Sequence, residues 1–258
     1  MNALSITPAA LTRVGQMHGK TRRGRQNPAV APRRPHRIVL AMRRLVEPEI
    51  LDDLPAEDPA AVRSRRDLAM INALMGNERW IARQVALAPA AAAARILEIG
   101  AGSGTLIARL ARQFPAARAA AIDLVARPAG LPAAIAWHQG DVFEQLGRLR
   151  PGPSAGVLVA NLFLHHFDDD ALGRLGRLLD PFEVLVFSEP RRGVVARALS
   201  LPLAPLVNRV TRHDMRVSIR AGFVAGELPG RLGLDAGRWK VSETCIWRGA
   251  QRVVACRI

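Results

Sequence analysis

The chain has 258 residues, 49% of them apolar, and a formal net charge of +15 from 37 basic and 22 acidic side chains. That length can bury one large core with a small appendage. No apolar stretch approaches the roughly 18 residues of a membrane-spanning helix, and two cysteines, Cys245 and Cys256, are too few for a disulfide framework or a zinc site.

Residues 1–41 carry eight basic side chains, no acid, and Pro8, Pro28, Pro32 and Pro35. No hydrophobic period survives there, so the reading is a disordered basic tail. Three explanations compete: a tail touching nucleic acid or an anionic surface, an organellar transit peptide, or a segment upstream of a true start at Met42. No charged region followed by an apolar run opens the chain, so no secretory signal is expected, and a reducing cytoplasm fits. Nearly all the positive charge is arginine, and the few Trp and Phe are not interleaved with it as a base-stacking platform would need. No specific nucleic-acid partner is expected.

From Val46 the chain changes character. Asp58-Pro59 offers an N-cap and a first-turn proline, and Leu68, Ile71 and Leu74/Met75 recur at helical spacing. Gly76-Asn77 breaks that helix, and a second carries Trp80, Ile81 and Val85. Residues 42–90 therefore read as a small helical segment ahead of the main domain, 91–258. Arg95-Ile96-Leu97-Glu98-Ile99 is an apolar strand running into Gly100, Gly102 and Gly104, with a helical pattern opening at Thr105. Glycines there permit a tight turn and a ligand's approach to bare backbone, and the helix start offers free N–H groups.

The spacing fits neither the dinucleotide fingerprint nor the phosphate loop. A second short strand, Ala119 to Ile122, ends in Asp123, whose carboxylate can accept two ribose hydroxyls. Only about ten residues then precede the next strand, with Pro128, Gly130 and Pro132 among them, which is short for a crossover helix. Ile135 to Phe143 contains Asp141-Val142; Gly156 to Phe167 contains Asn161 and His165-His166. Asp168 or Asp169 caps a helix with Leu172, Leu175 and Leu178/Leu179. Glu183 to Ser188 is a fifth strand ending at Glu189-Pro190. Val194 to Val207 is an apolar helical stretch broken by Pro202 and Pro205. Trp239 to Trp247 and Gln251 to Ile258 flank Arg248-Gly249-Ala250 as a hairpin. Cys245 and Cys256 fall in these runs and are expected as small buried side chains. No metal site is expected.

The pattern Glu98-x-Gly100-x-Gly102-x-Gly104, followed by Asp123, Asp141 and Asn161 in order, resembles the class I S-adenosylmethionine (SAM)-dependent methyltransferases over roughly residues 95–258. The resemblance implies an α/β, Rossmann-like sheet, mostly parallel with a final antiparallel hairpin, and a helical cap in front. It implies SAM as cofactor: Glu98 serving the cationic end, Gly100, Gly102 and Gly104 lining the methionine and ribose, Asp123 on the ribose, Asp141 on the adenine amine with Val142 packing on the ring, and Asn161 beside them. Ser-Glu-Pro-Arg-Arg (Ser188 to Arg192), Thr-Arg-His-Asp (Thr211 to Asp214) and Arg66 to Asn72 resemble bacterial small-molecule methyltransferases of polyketide, alkylresorcinol-type and quinone pathways. The tetrad Asn-Pro-Pro-Tyr of adenine-amine N-methyltransferases is absent, since Asn161 is followed by Leu162-Phe163-Leu164.

Methyl transfer to a small aromatic or lipid-like acceptor follows, with O-methylation of a phenol ahead of C-methylation of a quinone-type ring. A nucleic-acid methyltransferase and a SAM-binding protein without turnover are the alternatives. A phenol benefits from a general base, and the candidates are His213, His165 and His166. The competing reading of His213-Asp214 is a helix N-cap, with Asp214 capping Met215 to Gly222. The acceptor is expected between Glu189 and Phe223, where the Val194–Val207 stretch would form an apolar wall and the Thr211–Asp214 cluster polar tips.

Overall fold

A computed structural model of the chain describes residues 43–149 and 156–258. The basic tail and the alternative start at Met42 lie outside the described residues. A strap (residues 43–54) with a single helical turn, α1 (Ile50–Asp53), leads into α2 (Pro59–Met75), α3 (Asn77–Leu87) and the short α4 (Ala90–Ala93). As the sequence predicts, Asp58 caps α2 by accepting from Ala60 and Ala61 N–H, and Gly76, at φ +68, ends it in a left-handed turn.

The main domain then alternates. β1 (Arg95–Ile99), α5 (Thr105–Gln113), β2 (Arg118–Asp123), β3 (Ala136–Gln139), α6 (Val142–Arg148) and β4 (Val157–Asn161) are followed by a 3₁₀ turn at Leu164–His166. After it come α7 (Asp169–Leu178), β5 (Val184–Pro190), α8 (Val194–Ser200), α9 (Arg209–Ala221), α10 (Glu227–Arg231), β6 (Trp239–Cys245) and β7 (Ala250–Arg257). The seven strands lie in the order β3-β2-β1-β4-β5-β7-β6. β1 to β5 run parallel, and β7 pairs antiparallel with both β5 and β6. No helix joins β2 to β3, as the short spacing requires.

β4 and β5 are buried along almost their whole length, as strands of a two-faced parallel sheet must be. One core layer joins Ile99, Leu158, Leu172, Leu175, Leu185, Phe187 and Phe223; the other joins Ile81, Val85, Ile107, Leu110, Val159 and Val186. Chain order reverses between β1 and β4, so the carboxyl ends of these strands open the crevice in which open α/β sheets hold ligands. No helix among the described residues is long and apolar enough to cross a membrane.

Two sequence expectations are corrected. The helix holding Asp214 starts at Arg209 and is capped by Asn208, whose side chain accepts from Thr211 N–H; Asp214 therefore sits within the helix rather than at its cap. As the prolines predict, the helical stretch is broken: α8 ends at Ser200 and turns follow to Leu206, because Pro202 and Pro205 cannot donate to a helical ladder. Cys245 is exposed rather than buried: it closes the edge strand β6, where the burial of Trp239 on the same face has run out, and Cys256 is only partly buried.

Candidate active site

The glycine loop divides its labour. Gly100, Gly102 and Gly104 have φ values of +67, +50 and +73, a region costly for other residues. A Cβ on Gly100 would lie 2.1 Å from the Phe163 ring, and one on Gly104 would lie 2.9 Å from Leu131. At Gly102 a Cβ would meet no atom of the described residues within 4 Å, so among them that face of the loop is open. Asp123, at the end of β2, turns back on the loop: its Oδ2 accepts from Gly102 N–H at 2.6 Å and its Oδ1 from Val125 N–H at 3.0 Å.

Two acceptors at the strand ends have no donor among the described residues. Glu98 Oε2 and Asn161 Oδ1 are buried without a hydrogen-bond partner among them. Burial pushes the Glu98 carboxyl well above its usual range, against the smaller effect of a hydrogen bond with the Ile107 backbone. On β3's far side, Asp141 is exposed and caps α6 through Oδ1, which accepts from Phe143 and Glu144 N–H at 2.9 and 3.2 Å, while Val142 behind it is buried. Leu124 and Val125 stand 71% and 52% exposed directly after Asp123. Sequence reading missed these two apolar surfaces; an apolar pair after a strand-end acid was the available signal.

β4 ends in strain. Leu162 adopts φ +54, unusual for a branched residue, with its N–H held by Ser188 O at 2.8 Å. The next three N–H groups converge on one carboxylate. Glu189 Oε1 accepts from Phe163 and Leu164 at 3.1 and 3.0 Å, and Oε2 from His165 at 3.2 Å. Glu189 Oε2 also meets His165 Nδ1 at 2.9 Å, and His165 Nε2 faces Glu49 Oε1 at 3.5 Å. Burial alone would depress His165, but the hydrogen bonds and charges of Glu189 and Glu49 push it up to about 9. Burial likewise opposes ionisation of Glu49, and His165, His166 and Ser218 outweigh it to hold that carboxyl below its usual range. His165 is thus a buried cation between two carboxylates.

His166 differs. Its side chain is 31% exposed, and Nδ1 lies 3.7 Å from Asp52 Oδ2. Its ring centroid is 4.3 Å from that of His165 and 6.4 Å from that of Phe163, the residue closing on Gly100. Burial, then the neighbouring His165 cation, lower it to about 4. Burial and the charges of Glu49, Asp214 and Asp53 raise Asp52 to about 6. The ligand atoms of Glu49, His165 and His166 lie within 4.8 Å of one another, close enough to converge on a cation.

The strap is fastened across this corner. Arg44 donates to Phe167 O at 2.6 Å, His165 O at 3.2 Å and Ala221 O at 2.8 Å. The Ser218 hydroxyl lies against Glu49. Asp214, buried on α9, accepts from Ile50 and Leu51 N–H at 2.8 and 3.1 Å, capping α1 from a distant part of the chain. Thr211 is likewise engaged, by Ser64 at 2.7 Å and Asp67 at 3.1 Å. His213 lies outside this corner: its half-exposed ring has Nδ1 3.0 Å from Asp214 and opens on a hollow lined by Glu47, Pro48, Arg216, Val217 and Arg220. The structure brings His165, His166 and Asn161 to the β4 edge, Gly102 and Asp123 to the β1–β2 edge, and leaves His213 on the outer side of α9. Glu49, Asp52 and Arg44 were not foreseen, because nothing local in Val46-Glu47-Pro48-Glu49 announces a partner over a hundred residues away.

Known proteins share both sequence and architecture. The profile of the methyltransferase domain matches residues 70–219. Uncharacterized methyltransferases of Mycobacterium bovis and Mycobacterium tuberculosis are 31% identical over 154 residues, covering 49% of this chain and 76% of theirs. Among solved structures, the plantazolicin methyltransferase BamL, in complex with a triazolic desmethylPZN analog and SAH, superposes with a TM-score of 0.63 at 10% identity. The match covers 80% of this chain and 92% of that one. A putative O-methyltransferase from Nostoc punctiforme superposes at 0.52 with 16% identity, over 79% of this chain and 62% of its own. At such identities the structures speak for the fold.

Proposed function

This chain belongs to the methyltransferase domain family, and on that footing we propose that it methylates a small aromatic or lipid-like acceptor, a phenolic oxygen first, with His166 as the proton acceptor. The protein is a SAM-dependent methyltransferase of the class I fold. The residues fit that cofactor. The space over Gly102 that no atom of the described residues fills, together with the acceptors on Glu98 and Asn161 that have no partner among those residues, suits a ligand carrying an ammonium group. Asp123 keeps acceptor capacity for ribose hydroxyls beyond its two N–H bonds. Asp141 Oδ2, the exposed Leu124 and Val125, and Val142 border the adenine end in this reading. SAM supplies, when bound, a methyl group on a sulfonium, and the residues of the chain supply position, dryness and a place for a proton.

One observation supports His166 over its rivals. It is partly open, its protonation is suppressed by burial and by the His165 cation, and it lies beside the Phe163 that closes on the glycine loop. His165 is held as a cation by two carboxylates and has no free lone pair to offer. His213 opens on the far side of α9. A proton received by His166 would sit beside the His165 cation, and Asp52, 3.7 Å away, offsets that repulsion when ionised. Asp52 is ionised above about pH 6, so turnover should rise through that pH and lose this limb in Asp52→Asn.

The test is product formation from labelled SAM with a panel of phenols, quinones and RNA. His166→Ala is expected to lower phenol methylation about 10²-fold, the scale of a lost general base, with SAM affinity within about threefold of wild type. Equal turnover by the variant would remove His166 from the mechanism and return His213 to the front. Methyl found on ring carbon or on RNA would replace the phenol reading outright.

A further inference from the structure

The stretch from residue 190 to 213 holds five arginines and no acid. In its middle the chain turns its apolar side chains outward. Val194, Leu201 and Leu206 are 58%, 65% and 67% exposed, and Val195 and Leu199 are also open. The sequence suggested an apolar wall for a small-molecule pocket; in the structure these large apolar side chains stand exposed as a ridge on α8 and the proline-broken turns after it. Five such residues within 13 positions exceed the scattered exposure normal for a soluble surface.

Beside this ridge lies a hollow of about 380 Å³ lined by Arg197, Ser200, Arg216, Ile219 and Arg220. Arg220 pairs with Glu47, whereas Arg197 and Arg216 have no carboxylate partner among the described residues. Arg209, also exposed, begins α9 at the other end of the ridge. Apolar side chains flanked by unpaired guanidinium groups match the two layers of a membrane surface: acyl chains below, anionic headgroups above.

We propose that residues 193–209, with the arginine-lined hollow beside them, seat this protein on an anionic phospholipid bilayer. A second copy of the chain is a poorer occupant, since a two-fold pairing would set this predominantly basic surface against itself. The α8 segment leaves directly from the carboxyl end of β5, the same sheet edge that carries Glu189. An acceptor with an apolar tail could therefore be drawn from the lipid at the edge where it reacts. The inference goes beyond the proposed phenol chemistry, and the two can fail separately.

The experiment is vesicle flotation of the full chain with phosphatidylcholine alone or mixed with phosphatidylglycerol, without SAM or acceptor. The wild type is expected to bind the anionic vesicles at least about tenfold more tightly. The double variant Leu201→Asp/Leu206→Asp should lose about 30-fold of that binding, and Arg197→Glu/Arg209→Glu a comparable amount. The basic residues 1–41 add salt-sensitive attraction of their own, but they are present in every variant, so differences between variants report the ridge. Melting temperature should not change, and Leu201→Ser/Leu206→Ser provides a milder pair should the aspartates disturb folding. Brominated acyl chains should quench fluorescence in Leu201→Trp beyond the native background. Absence of wild-type binding, or equal binding by the leucine variants, overturns the proposal. So does a concentration-dependent dimer that the leucine variants abolish with no vesicle binding, or capture of an acidic protein without lipid binding.

Discussion

The two edges of the crevice are built in different ways. The β1–β2 edge is local: three glycines within five residues, and an acid at the end of the next strand whose carboxylate bonds a loop N–H 21 positions away. The β4–β5 edge is assembled from afar. Glu49, His165, Glu189, Asp214 and Ser218 come from four separate stretches of chain and meet in one buried network. A local site can lose one contact and keep its fold, because the backbone turn survives. A network of buried charges cannot, because each member is the counter-charge that makes its neighbour tolerable.

The largest effect should therefore come from Glu189. Glu189→Ala strands the His165 cation and frees three buried N–H groups at once. Breaking a buried pair from one side costs about 3–5 kcal/mol, so denaturant unfolding should show a loss of that size. A loss under about 1 kcal/mol would mean that water reaches the site and that the edge is no more integrated than the glycine loop.

The same network gives stability a pH signature. His165 has its folded value raised to about 9 from an ordinary value near 6.5, so its contribution is full below that ordinary value and is lost as pH rises through 9. Glu49, held below its usual range, contributes above that range and loses its share as pH falls. Thermal melting should thus peak between about pH 5 and 6.5 and decline toward 9. In His165→Gln the alkaline decline should flatten; an unchanged slope would show that some other group titrates.

The β1–β2 edge should respond more modestly and mostly in binding. Asp123→Ala removes the acceptor expected to hold the ribose, and calorimetry should show at least a tenfold weaker SAM affinity, about 1.4 kcal/mol, with little change in melting. Full affinity would move the ribose elsewhere. A melting loss as large as that of Glu189→Ala would erase the distinction between the edges.

The contrast also explains what the sequence made legible. The glycine loop, the Asp58 cap, the missing helix between β2 and β3 and the final hairpin are written in short windows where spacing and turn chemistry decide the outcome. Asp214 misleads because its side chain is a good cap in isolation, yet Asn208, six positions earlier, already caps that helix and frees Asp214 to cap α1 instead. Residues 194–207 are legible as apolar, but apolar content alone does not show that so many of these side chains stand exposed. Glu49 and Asp52 carry no local mark at all. Only the packing of the strap over α9 and the 3₁₀ turn gives them partners.

Asp58→Ala offers the smallest and cleanest test of this view. The carboxylate accepts from Ala60 N–H at 2.7 Å and from Ala61 N–H at 3.4 Å, both within three residues of itself. Loss of such a cap costs about 1 kcal/mol. Yet α2 is also where Ser64 and Asp67 reach α9, through Thr211 and through the Asn208 N–H at 2.8 Å. If the cap acts only on its own helix turn, Asp58→Ala should lower stability by about 1 kcal/mol, leave SAM affinity unchanged, and add to the loss from Glu189→Ala within about 0.5 kcal/mol. A double variant that loses markedly less than the sum would show that capping of α2 is felt through α9 at the buried charges. The local and the assembled edges would then be one cooperative unit.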